Sequence, residues 1–411
     1  MDSKDHQTLR WLAGRWMELS SLPVMAERKR LWTALKDLRP ERPMMLFEVW
    51  TLGDHFVHHD ELQCTDPVFR NIELNMRRYI RQVEEIGDDL VIEPHLRLFW
   101  DVESTNYGVD IIDKHGDDTF GDNIGYAFNH PIRTPQDVAL LRPRTWKVNR
   151  EATLQKLERV SEAFGYLLPV EIGGMGDFWV AMTADLFKLI GNDNLLAWTY
   201  DAPEALHAIM AYLRDDRIAY YRWLESEGLL GINNPEFVGS GSPGYTTTLP
   251  QPDYNGRARL KDVWAWMESQ ETTMISPRMF AEFFLPYMAE VAALFGLVYY
   301  GCCEPVHDRW DLISSAMPNI RAVSISPWCD QTIMGEKLGR NCVFSRKPKP
   351  WQIGVDMPDW ESLEKDLDET LYAARNCCLE IIYRDVYRIS SRAYPGRWAE
   401  LVRSRIGGAS I

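Results

Sequence analysis

The feature that most constrains this chain is its alternation of two kinds of segment. From Met44 onward, short runs of apolar residues are separated by longer amphipathic stretches. Short apolar runs of four to eight residues suit buried strands, and the longer stretches suit helices. Strands are expected at Met44–Trp50, Leu90–Pro94, Leu167–Ile172, Leu229–Ile232, Leu297–Tyr300, Ile320–Ser326, Cys342–Ser345 and Cys378–Arg384, with Val263–Met267 competing for one of these places. Helices are expected at Phe69–Ile86, Arg150–Phe164, Ala202–Glu225, Pro277–Phe295, His307–Ala316, Thr332–Leu338 and Asp359–Ala374. Ser276 before Pro277 is a helix-start signal, and Gly228 and Gly296 close helices just ahead of strands.

Such a pattern builds a parallel sheet, either open or closed into a barrel. Gly173-Gly174-Met175-Gly176 is the nearest approach to a phosphate loop, and it lacks the dinucleotide spacing. The expectation is therefore a (β/α)8 TIM barrel over residues 41–411, where catalytic groups sit just after the strands. Residues 1–40 read as an amino-terminal helical extension ended by Pro40 and Pro43.

Composition narrows the function. The formal net charge of -15 argues against nucleic acid or an anionic membrane as the main partner. No apolar run is long enough to span a bilayer, and the amino terminus lacks a signal-peptide core. The seven cysteines are odd in number and include two adjacent pairs, Cys302-Cys303 and Cys377-Cys378. A chain of 411 residues needs no disulfide staples, so reduced thiols and a cytoplasmic location are expected. Two long stretches break the rhythm. Asn233–Arg259, rich in Gly and Pro, reads as a lid or substrate loop on the strand-end face. Tyr107–His130 reads as a second excursion containing a small hairpin.

The expected strand ends are polar. Glu48, Glu93 and Glu171 lie in apolar surroundings, where a buried carboxylate needs a partner or a metal. Pairing with Arg97, Arg346 or Arg384 is the concrete structural alternative to a functional role. Cys302-Cys303-Glu304, with His307 beyond, is the most specific signal: thiolate, carboxylate and imidazole are zinc donors, although a buried inert pair at a tight turn would look the same. His55, His58 and His59 read either as ligands or as a solvated loop. Arg346-Lys347 could hold an anion or pair with a carboxylate. The 16 tryptophans read as packing or as an aromatic-walled pocket.

The segment Trp264–Pro348, with the runs ESQET, SPRMFAEFFLPY, YYGCCEP, ISPW and FSRKP, resembles the uroporphyrinogen decarboxylase superfamily. That superfamily contains decarboxylases and zinc- and corrinoid-dependent methyltransferases on (β/α)8 barrels. The arginine-rich motif of true uroporphyrinogen decarboxylases is missing from Arg42–Trp50, which makes the methyltransferase branch the better match. The resemblance aligns a His-x-Cys zinc motif with Tyr300-Gly301-Cys302, so the Cys is kept and the His is replaced. It sets Asp385 where a further Cys would stand.

The resemblance thus implies methyl transfer from a small methylated donor, such as a methoxylated aromatic, to a corrinoid on a separate protein. Glu171, Glu268 and Asp385 are the expected catalytic groups. Glu48, Trp50, His95, Trp328 and Arg346 are the expected substrate contacts, and Cys302, Glu304 and His307 the expected zinc ligands. No nucleic acid or membrane partner is expected, and a homodimer is admitted. The alternative is decarboxylation of a smaller acid, with Arg346, Lys347 and Arg384 holding carboxylates.

Overall fold

The structure, a computed structural model, describes residues 3–115, 126–175 and 178–407. Its spine is a six-stranded sheet whose spatial order starts at Met44–Phe47 and runs through Cys378–Tyr383, Val343–Arg346, Ile320–Ile325 and Leu297–Tyr300 to Trp264–Met267. Every pairing in it is parallel. A separate parallel pair joins Leu96–Leu98 to Val170–Ile172. The sheet therefore includes Val263–Met267, the competing run, as a full strand.

Leu90–Pro94 and Leu229–Ile232 form no ladder, and the reason is chemical. Beside the first strand, carboxylates replace a neighbouring backbone: Met45 N–H donates to Asp89 Oδ2 at 3.0 Å and Phe47 N–H to Asp88 Oδ2 at 2.8 Å. Beside Trp264, the Asn233 amide does the same. Its Oδ1 accepts from Trp264 N–H at 2.9 Å and its Nδ2 donates to Trp264 O at 3.1 Å. Strand-edge groups are thus satisfied by side chains where a ladder was expected.

Alternation along the strands sorts residues onto two faces. Met45, Phe47, Ala265, Met267, Val298, Tyr300, Val323, Phe344 and Ile381 belong to the large core that the helices cover. Met44, Leu46, Trp264, Tyr299, Ala322, Val343 and Ile382 belong to a second core on the inner face. Lys36, at the end of the helix Pro23–Lys36, reaches that inner face and bonds Glu380 Oε2 at 2.5 Å.

Most expected helices form. Asp66 caps Pro67–Arg81, and Asp359 caps Trp360–Ala373. The expected helix Pro277–Phe295 divides into Pro277–Phe283 and Leu285–Ala292, because Pro286 starts a new helix rather than continuing the old one. Met182–Asp201 was not expected to be helical. Its buried residues include Met182, Thr183, Ala184, Asp185 and Leu186, so no single apolar stripe marks it. The Tyr107–His130 excursion contains a short antiparallel pair, Asp113–His115 with Tyr126–Phe128. The tip of that excursion, with Gly176 and Asp177, lies outside the described residues.

The Asn233–Arg259 stretch corrects the lid expectation. It is no outer lid: it enters from the amino-terminal side, and only its hairpin tip reaches the strand ends, beside Glu48 and Gly301. Thr246 and Thr247 bond Asp37, and Arg321, near the start of its strand, approaches Thr248. From that amino-terminal side the hairpin Phe237–Gly239/Ser242–Pro243 runs inward. Ser242 bonds Glu380 and Lys36, and Ser240 Oγ donates to Gly301 O at 3.1 Å. Gly239 permits this passage, since a Cβ there would lie 2.2 Å from the Tyr299 ring.

Candidate active site

Above the hairpin tip is a cavity of about 420 Å³. Its walls come from the first strand and the residues just after it (Leu46 to Trp50), the last strand and the residue after it (Ile382, Arg384), the hairpin and the helix Pro67–Arg81. Trp179 and Trp266 stack on one another with ring centroids 5.4 Å apart and both line the space. Trp50, exposed at 58%, lines it as well.

Glu48 supplies the acid of this cavity. Its position follows from strand alternation: Met44, Leu46 and Glu48 fall on the inner face. Its Oε1 is buried and has no hydrogen-bond partner. Burial raises the carboxyl pKa, against the opposing pull of Arg384, whose Nε lies 3.6 Å from Glu48 Oε2. Arg384 is also 3.3 Å from Asp385 Oδ2. Burial works against its charge, but Glu48 and Asp385 outweigh it and raise its pKa. Its Nε and Nη1 still lack hydrogen-bond partners.

Beyond Asp385 lies the thiol turn. Asp385 has φ 58° and Gly301 φ 92°, both left-handed. Cys303 Sγ is 4.0 Å from Asp385 Oδ2 and 3.6 Å from Cys302 Sγ. The bond to Cys303, then burial, raises the Cys302 thiol pKa far up. Glu304 turns inward and is buried. Its Oε1 accepts from Ser269 N–H at 2.8 Å and its Oε2 from Cys302 N–H at 2.9 Å. Glu268 is buried beside it, with Oε1 unpartnered. Burial, then Glu271 and Glu304, raise its pKa. Burial raises that of Glu304 too.

The predicted residues thus scatter. The structure brings Glu48 and Trp50 into the cavity and sets Asp385 at its edge through Arg384. It places Glu268 and Glu304 behind the Cys302 turn. Arg346 corrects the expectation of an anion contact. It faces the helix side, where it is 3.1 Å from Asp366 Oδ1. Glu171 is about half exposed and is held by Arg97 at 2.9 Å and His95 at 3.4 Å. Trp328 is exposed and packs on Trp351.

The zinc set does not assemble either. His307 Nδ1 accepts from Asp330 N–H at 3.2 Å, and both Glu304 oxygens hold backbone amides. Among the described residues no three His, Cys, Asp or Glu side chains are grouped to hold a metal. Cys302, Glu304 and His307 therefore do not fit the ion, and no step is routed through it. His58 and His59 pair with Asp54 on an exposed loop.

Sequence reasoning missed Arg78, Tyr79 and Trp179 as cavity residues. The helix bearing Arg78 and Tyr79 reads as ordinary amphipathic covering, and nothing in its pattern signals the inner site.

No protein-family model matches the chain. No curated protein matches it. Among solved structures, a methyltransferase from Methanosarcina mazei is similar at 11% identity and a TM-score of 0.49, over 92% of this chain and 98% of that one. A likeness at that level carries no argument about the reaction. No helix among the described residues is long and apolar enough to cross a membrane.

Proposed function

We propose that the chain is a methyltransferase. It takes a methyl group from a small aromatic methyl ether and passes it to a corrinoid on a separate protein. One observation carries the reading: the unpartnered, buried Oε1 of Glu48 in a cavity lined by Trp50, Trp179 and Trp266. Burial favours the protonated carboxyl, which is the form a proton donor needs. Stacked indoles suit a flat ring.

In this reading the aryl oxygen–methyl bond breaks and its electron pair stays on oxygen. That oxygen takes the Glu48 proton and leaves as a phenol. The electron pair that receives the methyl group would come from the reduced corrinoid of the partner protein. Arg384 then faces the new Glu48 carboxylate and stabilises it. Glu48, read in the sequence as a substrate contact, so takes the acid role ahead of Glu171, Glu268 and Asp385. We also read the strands as a (β/α)8 barrel. The Leu96–Leu98/Val170–Ile172 pair and the run at 229–232 would lie between the sheet's two outer strands. The bonds Val180 N–H to Trp266 O and Asp89 N–H to Met45 O support that placement.

The test supplies purified protein with methoxylated aromatics and a reduced corrinoid and measures phenol release. Glu48→Gln should cut the rate by about 10²–10⁴-fold with ligand binding retained. Phenol release at the wild-type rate by that variant would overturn the acid assignment. A decarboxylase reading is favoured by the unpartnered N–H groups of Arg384. Carbon dioxide release without any corrinoid would select it.

A further inference from the structure

One arginine of the cavity, partly buried, is unlike the chain's buried arginines. Arg28 bonds Leu90 O, Arg217 pairs with Asp185 and Asp216, Arg309 bonds Thr272 and Ile275, and Arg346 pairs with Asp366. Arg78 lines the cavity, is partly buried, and its side chain has no hydrogen bond or ion pair with any described residue. Its Nε is among the buried atoms without a partner. Shielding that N–H from water without a partner is costly, so an acceptor arriving with the ligand would remove that cost.

Asn75 strengthens the case. It lies three residues earlier on the same helix, so the two side chains share a face. It also lines the cavity, where its exposed amide is free of side-chain partners among the described residues and open to a ligand. A guanidinium fork beside an amide matches a planar carboxylate. The other lining cation, Arg384, is already engaged by Glu48 and by Asp385 at the cavity edge. Arg78 is the lining cation that no carboxylate among the described residues engages.

We propose that Arg78, with Asn75, binds an anionic carboxylate group on the aromatic ligand, so that the substrate class is a methoxylated aromatic acid rather than a neutral ether. The inference rests on the proposed function for the ring and the methyl group. Its test reads binding alone, so failure of methyl transfer and failure of anion selection are distinguishable.

The probes are 4-methoxybenzoate and its neutral isostere 4-methoxybenzamide, titrated at neutral pH by tryptophan fluorescence or calorimetry. Wild type should bind the benzoate about 10- to 100-fold more tightly, the range of a charge-assisted bidentate contact. Arg78→Gln should abolish that preference and leave amide affinity within about twofold. Arg78→Lys should restore part of it, since a point charge lacks the fork. The proposal is overturned if wild type binds both equally or neither, or if Arg78→Gln keeps the preference. It is equally overturned if Arg384→Gln removes the preference and Arg78→Gln does not.

Discussion

Gly241 lies against the Glu48 carboxylate: a Cβ on Gly241 would sit 2.9 Å from Glu48 Oε2 and 3.0 Å from Ile382 Cγ2. Its φ of 75° is itself unfavourable for any side chain. Gly241→Ala should cost about 1–3 kcal/mol and displace the acid. Gly256→Ala is the control, with φ 95° and nothing within 4 Å. Thermal unfolding should show both destabilised. Only Gly241→Ala should also lose phenol release, and equal activity in the two variants would refute the contact's role.

The acid role has a pH signature. A proton donor works below its pKa, so the rate should fall as pH rises through the raised Glu48 value. Arg384 is the group that pulls this value down. Arg384→Met should move the falling limb to higher pH. A pH–rate profile with an unmoved limb would count against Glu48 as the donor.

Arg346 should matter for stability and not for ligand. Arg346→Ala leaves the buried Asp366 with only the more exposed Lys349, 3.4 Å from its Oδ1, at a cost of up to about 3–5 kcal/mol. Denaturant unfolding should register that loss. Affinity for a methoxylated aromatic acid, measured below the unfolding transition, should stay within twofold.

Lys347 neighbours Arg346 but faces inward, fully buried, with Nζ 2.6 Å from Ser345 Oγ. Burial lowers its pKa to about 7. The unfolded chain, with the ordinary lysine value, binds more protons between these limits. Lys347 therefore weakens the fold progressively as pH falls from above 10 towards 7, and no further below that. Lys347→Met should gain stability relative to wild type over that window and hold a constant gain at lower pH. A gain that is the same at pH 7 and pH 10 would contradict the assignment.

Thiol accessibility gives a further check. Cys303 is exposed and Cys302 half-buried, while Cys64, Cys329, Cys342, Cys377 and Cys378 are buried. Brief alkylation of the native protein should modify Cys303 first, and Cys303→Ser should remove the fast phase seen by mass spectrometry.

Strand positions were legible because an apolar run in a parallel sheet announces itself: Leu297–Tyr300 forms as expected, and Ile320–Ile325 stops one residue short of the expected Ser326. Leu229–Ile232 carries the same signal and forms no ladder, because Asn233 makes with its side chain the bonds a strand would make with its backbone. Glu48 was legible as a carboxylate in an apolar strand. Arg346 was misread by a single residue of register. Neighbours in a strand face opposite ways, so the anion-binding role suggested for Arg346-Lys347 could not be divided between them before the faces were known. Arg78 and Trp179 were illegible, since a helix and a loop far from Glu48 in sequence meet it only through the tertiary fold.

The inserted hairpin ties together parts of the chain made at very different times. Ser242 bonds Lys36, 206 positions before it, and Glu380, 138 positions after it. The floor of the cavity is therefore complete only once the last strand is in place. Loop closures of that length are entropically slow and gain nothing until they finish. A nascent chain emerging from the ribosome would carry Glu48 and Trp50 early, yet hold no working site until residues near Glu380 have been synthesised and docked. Release before that point should yield a chain with no ligand affinity.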